Sequence, residues 1–185
     1  MINDILKDTE NRMQLSIESL RTELSRIRTG KANISLLDGI TVEYYGTPTP
    51  LNQVANISAP EPRLLTVQPW DKTVVQDIEK AILASDLGIT PNNDGQIIRL
   101  PLPQLTQEVR EDLAKQARKR GEDAKVSVRN IRRDANDQVK KLEKSKEVAE
   151  DEAKSAQDDI QKLTDDAVKK IDAVISDKEK EVMEI

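Results

Sequence analysis

The sequence predicts an α+β protein, in which a long three-helix bundle carries a small inserted mixed α/β domain. Two observations carry this reading. All eight prolines lie between Pro48 and Pro103, and five of six glycines between Gly30 and Gly95. The flanks, 1–29 and 104–185, contain only Gly121 and repeat apolar residues at helical spacing. A third sets the proportions: the chain is 36% hydrophobic, 34% charged and 2% aromatic. That suits long exposed helices better than a thick sandwich or barrel.

Residues 1–29 read as a helix. Met13, Ile17, Leu20, Leu24 and Ile27 form a seam of alternating three- and four-residue steps, and Thr29-Gly30 supplies a stop. Ile40, Val42 and Tyr44 then alternate with polar residues as a strand, and Gly46 to Pro50 is expected to turn the chain. Further strands are expected at 53–58, 64–68 and 97–100. A helix over 72–86 turns Val74, Val75, Ile78 and Ile82 inward and stops at Gly88, and Asn93-Asp94-Gly95 is a turn. A second long helix starts at Thr106, an N-cap followed by Glu108, Glu111 and Asp112, and continues its seam through Ala124, Val128, Ile131, Ala135 and Leu142. The third occupies about 150–184, with Ile160, Leu163, Ala167, Ile171, Val174 and Ile175 inward. The bundle thus takes 1–30 and 105–185, the small domain 31–104. Gly30-Lys31-Ala32 going out and Leu102-Pro103-Gln104 coming back form a hinge of restricted swing.

Absences exclude whole classes of chemistry. Without cysteine there is no disulfide and no thiolate nucleophile. Without histidine there is no imidazole base, no Ser-His-Asp triad and no histidine metal site. Asp158-Asp159 and Asp165-Asp166 are adjacent pairs that diverge on a helix, which suits acid/base partnership poorly. Neither a phosphate-binding GxxxxGK[ST] loop nor a GxGxxG turn occurs. The expectation is a protein that is not an enzyme and needs no metal or cofactor. The N-terminus has no apolar signal region and no long apolar run follows, so a cytoplasmic location is expected.

Charge is unevenly placed. Residues 1–31 carry a net +1, 32–114 a net −6, 115–133 a net +6 and 134–185 a net −6. On a helical wheel of about 100° per residue, Arg118, Lys125, Arg129 and Arg132 fall in one stripe beside the Ala124 seam. Such a row matches a phosphate backbone, and arginine adds bidentate contacts. The alternative is a solvated run paired with Glu122, Asp123 and Asp134. The local excess favours a polyanion, while the acidic remainder argues against general DNA coating. The bundle has no aromatic residue to stack bases, so recognition of folded RNA by backbone and shape is the better reading. Tyr44, Tyr45 and Trp70 read as packing in the small domain or hinge. A coiled-coil adaptor or chaperone, and a general structured-RNA-binding protein, are the other classes the pattern allows.

The segments RTGKANISLLDGITVEYYGTPTPLNQVA (28–55), LASDLGITPNNDG (83–95), VRNIRRDANDQVKKL (128–142) and SAQDDIQKLTDDAVKKID (155–172) resemble bacterial ribosome recycling factors over essentially the whole chain. The resemblance implies an L-shaped, tRNA-like outline. It further implies a monomer that binds post-termination ribosomes, chiefly through large-subunit RNA. With elongation factor G it would split the subunits to release mRNA and tRNA. Arg110, Arg129 and Arg132 match the family's RNA-contacting arginines, with Arg118, Lys125, Arg133 and Arg28 as further candidates. Arg110 rests on the resemblance alone. Where the family's first hinge often reads Gly-Arg-Ala followed by a residue and Pro, this chain has Gly30-Lys31-Ala32-Asn33-Ile34. Lys31 keeps the charge without bidentate geometry, and Ile34 removes a fixed φ, so a looser hinge is expected.

Overall fold

A computed structural model describes residues 1–184. Four α-helices run in chain order as α1 (Ile2–Ser25), α2 (Val75–Ala84), α3 (Gln107–Lys144) and α4 (Glu150–Met183). The chain divides into two compact units. One comprises Met1–Leu24 with Ala114–Lys180; the other comprises Ser25–Leu113 with the C-terminal residues from Glu181 onward.

In the first unit α1, α3 and α4 pack along their apolar seams. Met13, Ile17, Leu20 and Leu24 of α1 are buried, as are Val128, Ile131 and Ala135 of α3 and Ile160, Ala167, Ile171 and Ile175 of α4. Burial of one such aliphatic side chain contributes about 1.5–3 kcal/mol. At one end, Ala135 and Val139 meet Val148, Ala153, Ala156 and Ile160, with Ile2, Ile5 and Leu6 packed against them. This places the start of α1 beside the end of α3, so the two run antiparallel. Alanines recur at these contacts, which lets the backbones approach closely. The tightest approach is at Gly121, buried in mid-α3, where even a methyl group would overlap Ile175 Cδ1. The α3–α4 connection closes on Lys146 in the left-handed region (φ 58°), with the Lys146 and Glu147 amides donating to Glu143 and Leu142 carbonyls.

Helix boundaries follow local chemistry. Thr106 Oγ1 accepts from Val109 N at 3.2 Å, capping α3 where the sequence places its start. α1, however, ends at Ser25 rather than near Thr29, and Gly30 is not among the glycines with positive φ, so it is no left-handed cap. Ile27, beyond the helix, is still buried.

The second unit holds two sheets and α2. Strands β1 (Thr41–Tyr44) and β2 (Thr47–Pro50) form a two-stranded antiparallel hairpin. The segment 47–50, expected to be part of a turn, is therefore a strand. The turn is only Tyr45-Gly46, with φ values of 49° and 77°, the double left-handed geometry whose twist matches a hairpin. Pro48 and Pro50 are tolerated because β2 is an edge strand. Strands β3 (Ala55–Glu61), β4 (Leu64–Pro69), β5 (Asn92–Asn93) and β6 (Ile98–Pro101) form an antiparallel sheet in the order β3-β4-β6-β5. The short β5 has no counterpart among the expected strands; it pairs Asn92 with Arg99 across the expected turn. One face of this sheet presents Leu65, Val67, Ile98 and Leu100, all fully buried, to Ile78 and Ile82 of α2 and to Leu36, Val42 and Leu51.

Candidate nucleic-acid interface

α3 places its side chains by rotation alone. Setting the seam of half-buried Ala124 and buried Val128, Ile131 and Ala135 at zero, residues about 180° away face solvent, and those at about 80–120° face a neighbouring helix. Arg118, Lys125 and Arg132 occupy the second class, on the α4 side. Arg118 Nε pairs with Glu179 at 2.6 Å, and Lys125 Nζ pairs with Asp172 at 2.6 Å and Glu122 at 3.3 Å. The Asp172 hydrogen bond raises the Lys125 pKa above the usual lysine value, against the desolvation of a side chain only 15% exposed. Two members of the expected stripe thus have their charge answered inside the bundle.

Arg132 differs. Its Nη1 donates to the neutral amide of Gln161 at 3.0 Å, and its Nε is buried without a partner among the described residues. No carboxylate answers its charge. Arg129 and Arg133 are exposed and make no ion pair or side-chain hydrogen bond among the described residues, and Lys115 and Lys119 behave alike. Lys115, Lys119, Arg129 and Arg133 fall opposite the seam or within about 40° of that direction, on a row roughly 27 Å long at about 1.5 Å per residue. Glu122, on the same face, is already tied to Lys125. Charge spacing in the sequence singles out the rim beside the seam and passes over Lys115 and Lys119. The signal that finds them is the direction opposite the seam, where no carboxylate of α1 or α4 can reach.

Arg110 and Arg28 lie in the second unit. Arg110 is 6% exposed, its Nη1 donates to the Met183 carbonyl at 3.5 Å, and its Nε is buried without a partner. Arg28 Nη1 donates to the Leu87 carbonyl at 3.4 Å. Neither presents a free guanidinium in this conformation. Arg110 lines a cleft with Gly30, Lys31, Pro62, Arg63 and Gln104. Ala32 N donates to Pro62 O at 2.6 Å and Leu102 N to Arg63 O at 2.8 Å, so the outgoing and returning segments are both tied to the β3–β4 turn. Lys31 Nζ pairs with Glu184 at 3.1 Å. Pro103 and Gln104 are exposed.

Among the described residues no group of three or more metal-ligating side chains converges, and no helix is long and apolar enough to cross a membrane. The family model for ribosome recycling factor matches residues 20–183. The chain belongs to the ribosome recycling factor family. Relatives named ribosome-recycling factor include those of Natranaerobius thermophilus, 61% identical over 98% of both chains, and Geobacillus kaustophilus, 56% identical over the full length of both. A solution structure of the ribosome recycling factor matches 100% of this chain and 98% of its own at 38% identity and a TM-score of 0.79. Models for the T. thermophilus ribosome recycling factor and the E. coli elongation factor G bound to the E. coli post-termination complex match at 44% identity over both full chains, with a TM-score of 0.68.

Proposed function

We propose that this chain binds the post-termination ribosome and, with elongation factor G, separates the subunits so that mRNA and tRNA leave. The observation that carries the reading is the match to ribosome recycling factors along the whole chain. The outward row of Lys115, Lys119, Arg129 and Arg133, with Arg132 at its edge, supports ribosomal RNA as the anchor. Each arginine can offer two parallel N–H groups to a phosphate, and none of the row must first give up an internal carboxylate. The factor acts in the cytoplasm, without catalysis and without a cofactor of its own, by converting the GTPase's push into movement.

The hinge is Gly30-Lys31-Ala32 with Leu102-Pro103-Gln104, and the domains that move about it are 1–30 with 105–185 and 31–104. Two hydrogen bonds to Pro62 and Arg63 hold the hinge strands in register without fixing their dihedral angles. Arg110, buried in the adjoining cleft, becomes available to RNA only when that cleft opens.

Co-sedimentation with ribosomes across a salt series tests the anchor. The Arg129→Ala/Arg133→Ala variant should bind more weakly, with its log–log salt slope flattened by about two units, near one for each phosphate left without its cation. Arg118→Ala should leave the slope near wild type, because that charge is spent on Glu179. An unchanged slope in the double variant removes this face from the anchor.

A further inference from the structure

The face of the four-stranded sheet turned away from α2 belongs neither to the cationic row nor to the hinge. Alternation along β4 sends Leu65, Val67 and Pro69 inward and sets Leu64, Thr66 and Gln68 outward; Trp70, next in that series, is 61% exposed. Register builds two rows across this face. Asn56 stands opposite Gln68, and Ser58, Thr66, Arg99 and Asn92 follow one another from β3 to β5. The Ser58 and Thr66 hydroxyls are bonded to each other. Arg99 Nη1 is held by Asp94 at 2.8 Å. The result is a flat surface of about 14 by 20 Å, from strand spacing and rise, with amides, hydroxyls, one exposed indole and no free cation; Glu61, opposite Leu64 at the β3–β4 end, is its one unpaired carboxylate among the described residues.

We propose that this face is a protein-docking surface anchored by Trp70, and that its occupant is a basic protein surface with an apolar recess for the indole. The setting, a ribosome with its GTPase, rests on the recycling reading above. Charge argues against nucleic acid. Affinity for a polyphosphate comes mainly from unpaired cations, and this face has none. Residues 32–101 around it carry eight acidic and four basic side chains, which repel phosphate and attract a basic protein. Stacking does not reverse this: Tyr45 reaches Asp71, next to Trp70, so aromatic faces are present, but with no unpaired cation on this face they have nothing to hold a phosphate backbone against them. An exposed tryptophan beside amides and hydroxyls, with the Asp71 carboxylate next to it, is instead the composition of a hot spot for a basic protein surface.

Two sets of variants test this. With a photo-crosslinking p-benzoylphenylalanine at Gln68, irradiation on ribosomes with elongation factor G and a non-hydrolysable GTP analogue should give an adduct that survives ribonuclease and is lost to protease. An adduct to RNA, or none from a chain that still pellets with ribosomes, overturns the proposal. Trp70→Ala should keep ribosome binding and its salt slope within twofold of wild type while subunit splitting falls about tenfold, and Trp70→Phe should restore part of it. Gln68→Lys should slow splitting and Gln68→Glu should not. Splitting unaffected by Trp70→Ala, or faster with Gln68→Lys, overturns the docking face alone. A wild-type chain that neither pellets nor splits overturns the recycling reading as well.

Discussion

Arg118 and Arg129 lie eleven residues apart on α3 and meet opposite fates. About 20° of rotation decides which carboxylates are within reach: Arg118 finds Glu179, and Arg129 finds none among the described residues. Spacing on a wheel locates the charged flank but cannot show which cations α4 neutralises, because α4's acidic residues enter that flank only through tertiary packing. Asp94 makes the same point in the other unit. Its carboxylate accepts from the Ile97 and Gln96 amides and from Arg99, and in that order these hold its pKa at about 2 rather than 3.8. A carboxyl group depressed in the folded state stabilises fully above its unfolded pKa and loses that contribution as pH falls through the folded value. Urea denaturation from pH 6 to pH 2 should therefore show Asp94→Asn less stable than wild type at the upper end. The gap should close between about pH 4 and pH 2. A gap of constant size would assign the effect to geometry rather than charge.

Helices are legible where period and capping agree. The seams of α1, α3 and α4, the Thr106 cap and the inward face of α2 all follow from residue order, since i, i+3 and i+4 neighbours share a face whatever the tertiary context. The hairpin is legible only in part. Tyr45-Gly46 closes it with a tyrosine in the left-handed region, where a bulky side chain is strained, and no propensity rule selects that residue there. β5 is invisible for a related reason: two asparagines become a strand only because β6 supplies a partner. Gly121 looks like an interruption in an otherwise continuous helix, and packing explains it. Gly121→Ala gains about 1 kcal/mol of helix propensity but must displace Ile175, and such overpacking costs about 1–3 kcal/mol. We expect the overlap to win and Tm to fall, with Ile175→Val in the same chain recovering part of the loss. A rise in Tm with Gly121→Ala would show that Ile175 yields easily.

For the molecule as a whole, composition already separates a proline- and glycine-rich insert from helical flanks. The proposed function then places anchoring on one and motion on the segments joining them. These roles should come apart experimentally. Gly30 has open space where a Cβ would go and no positive φ, so Gly30→Ala fits without a clash and only narrows the accessible backbone angles. Ribosome binding should stay at the wild-type level while splitting with elongation factor G slows several-fold, read by light scattering of the subunits. Parallel loss of both would make the hinge part of the binding site.

The close approach at Gly121 also has a mechanical meaning. Two helices that touch through ordinary side chains can slip along their shared axis by exchanging rotamers, at little cost for small displacements. Where one backbone is notched by glycine and the facing isoleucine fills the notch, axial sliding must lift Ile175 over the shoulder of the neighbouring turn. α3 and α4 are keyed at that point, so the bundle yields to bending before it yields to shear. A strut of that kind passes a load applied at one end to the other instead of absorbing it.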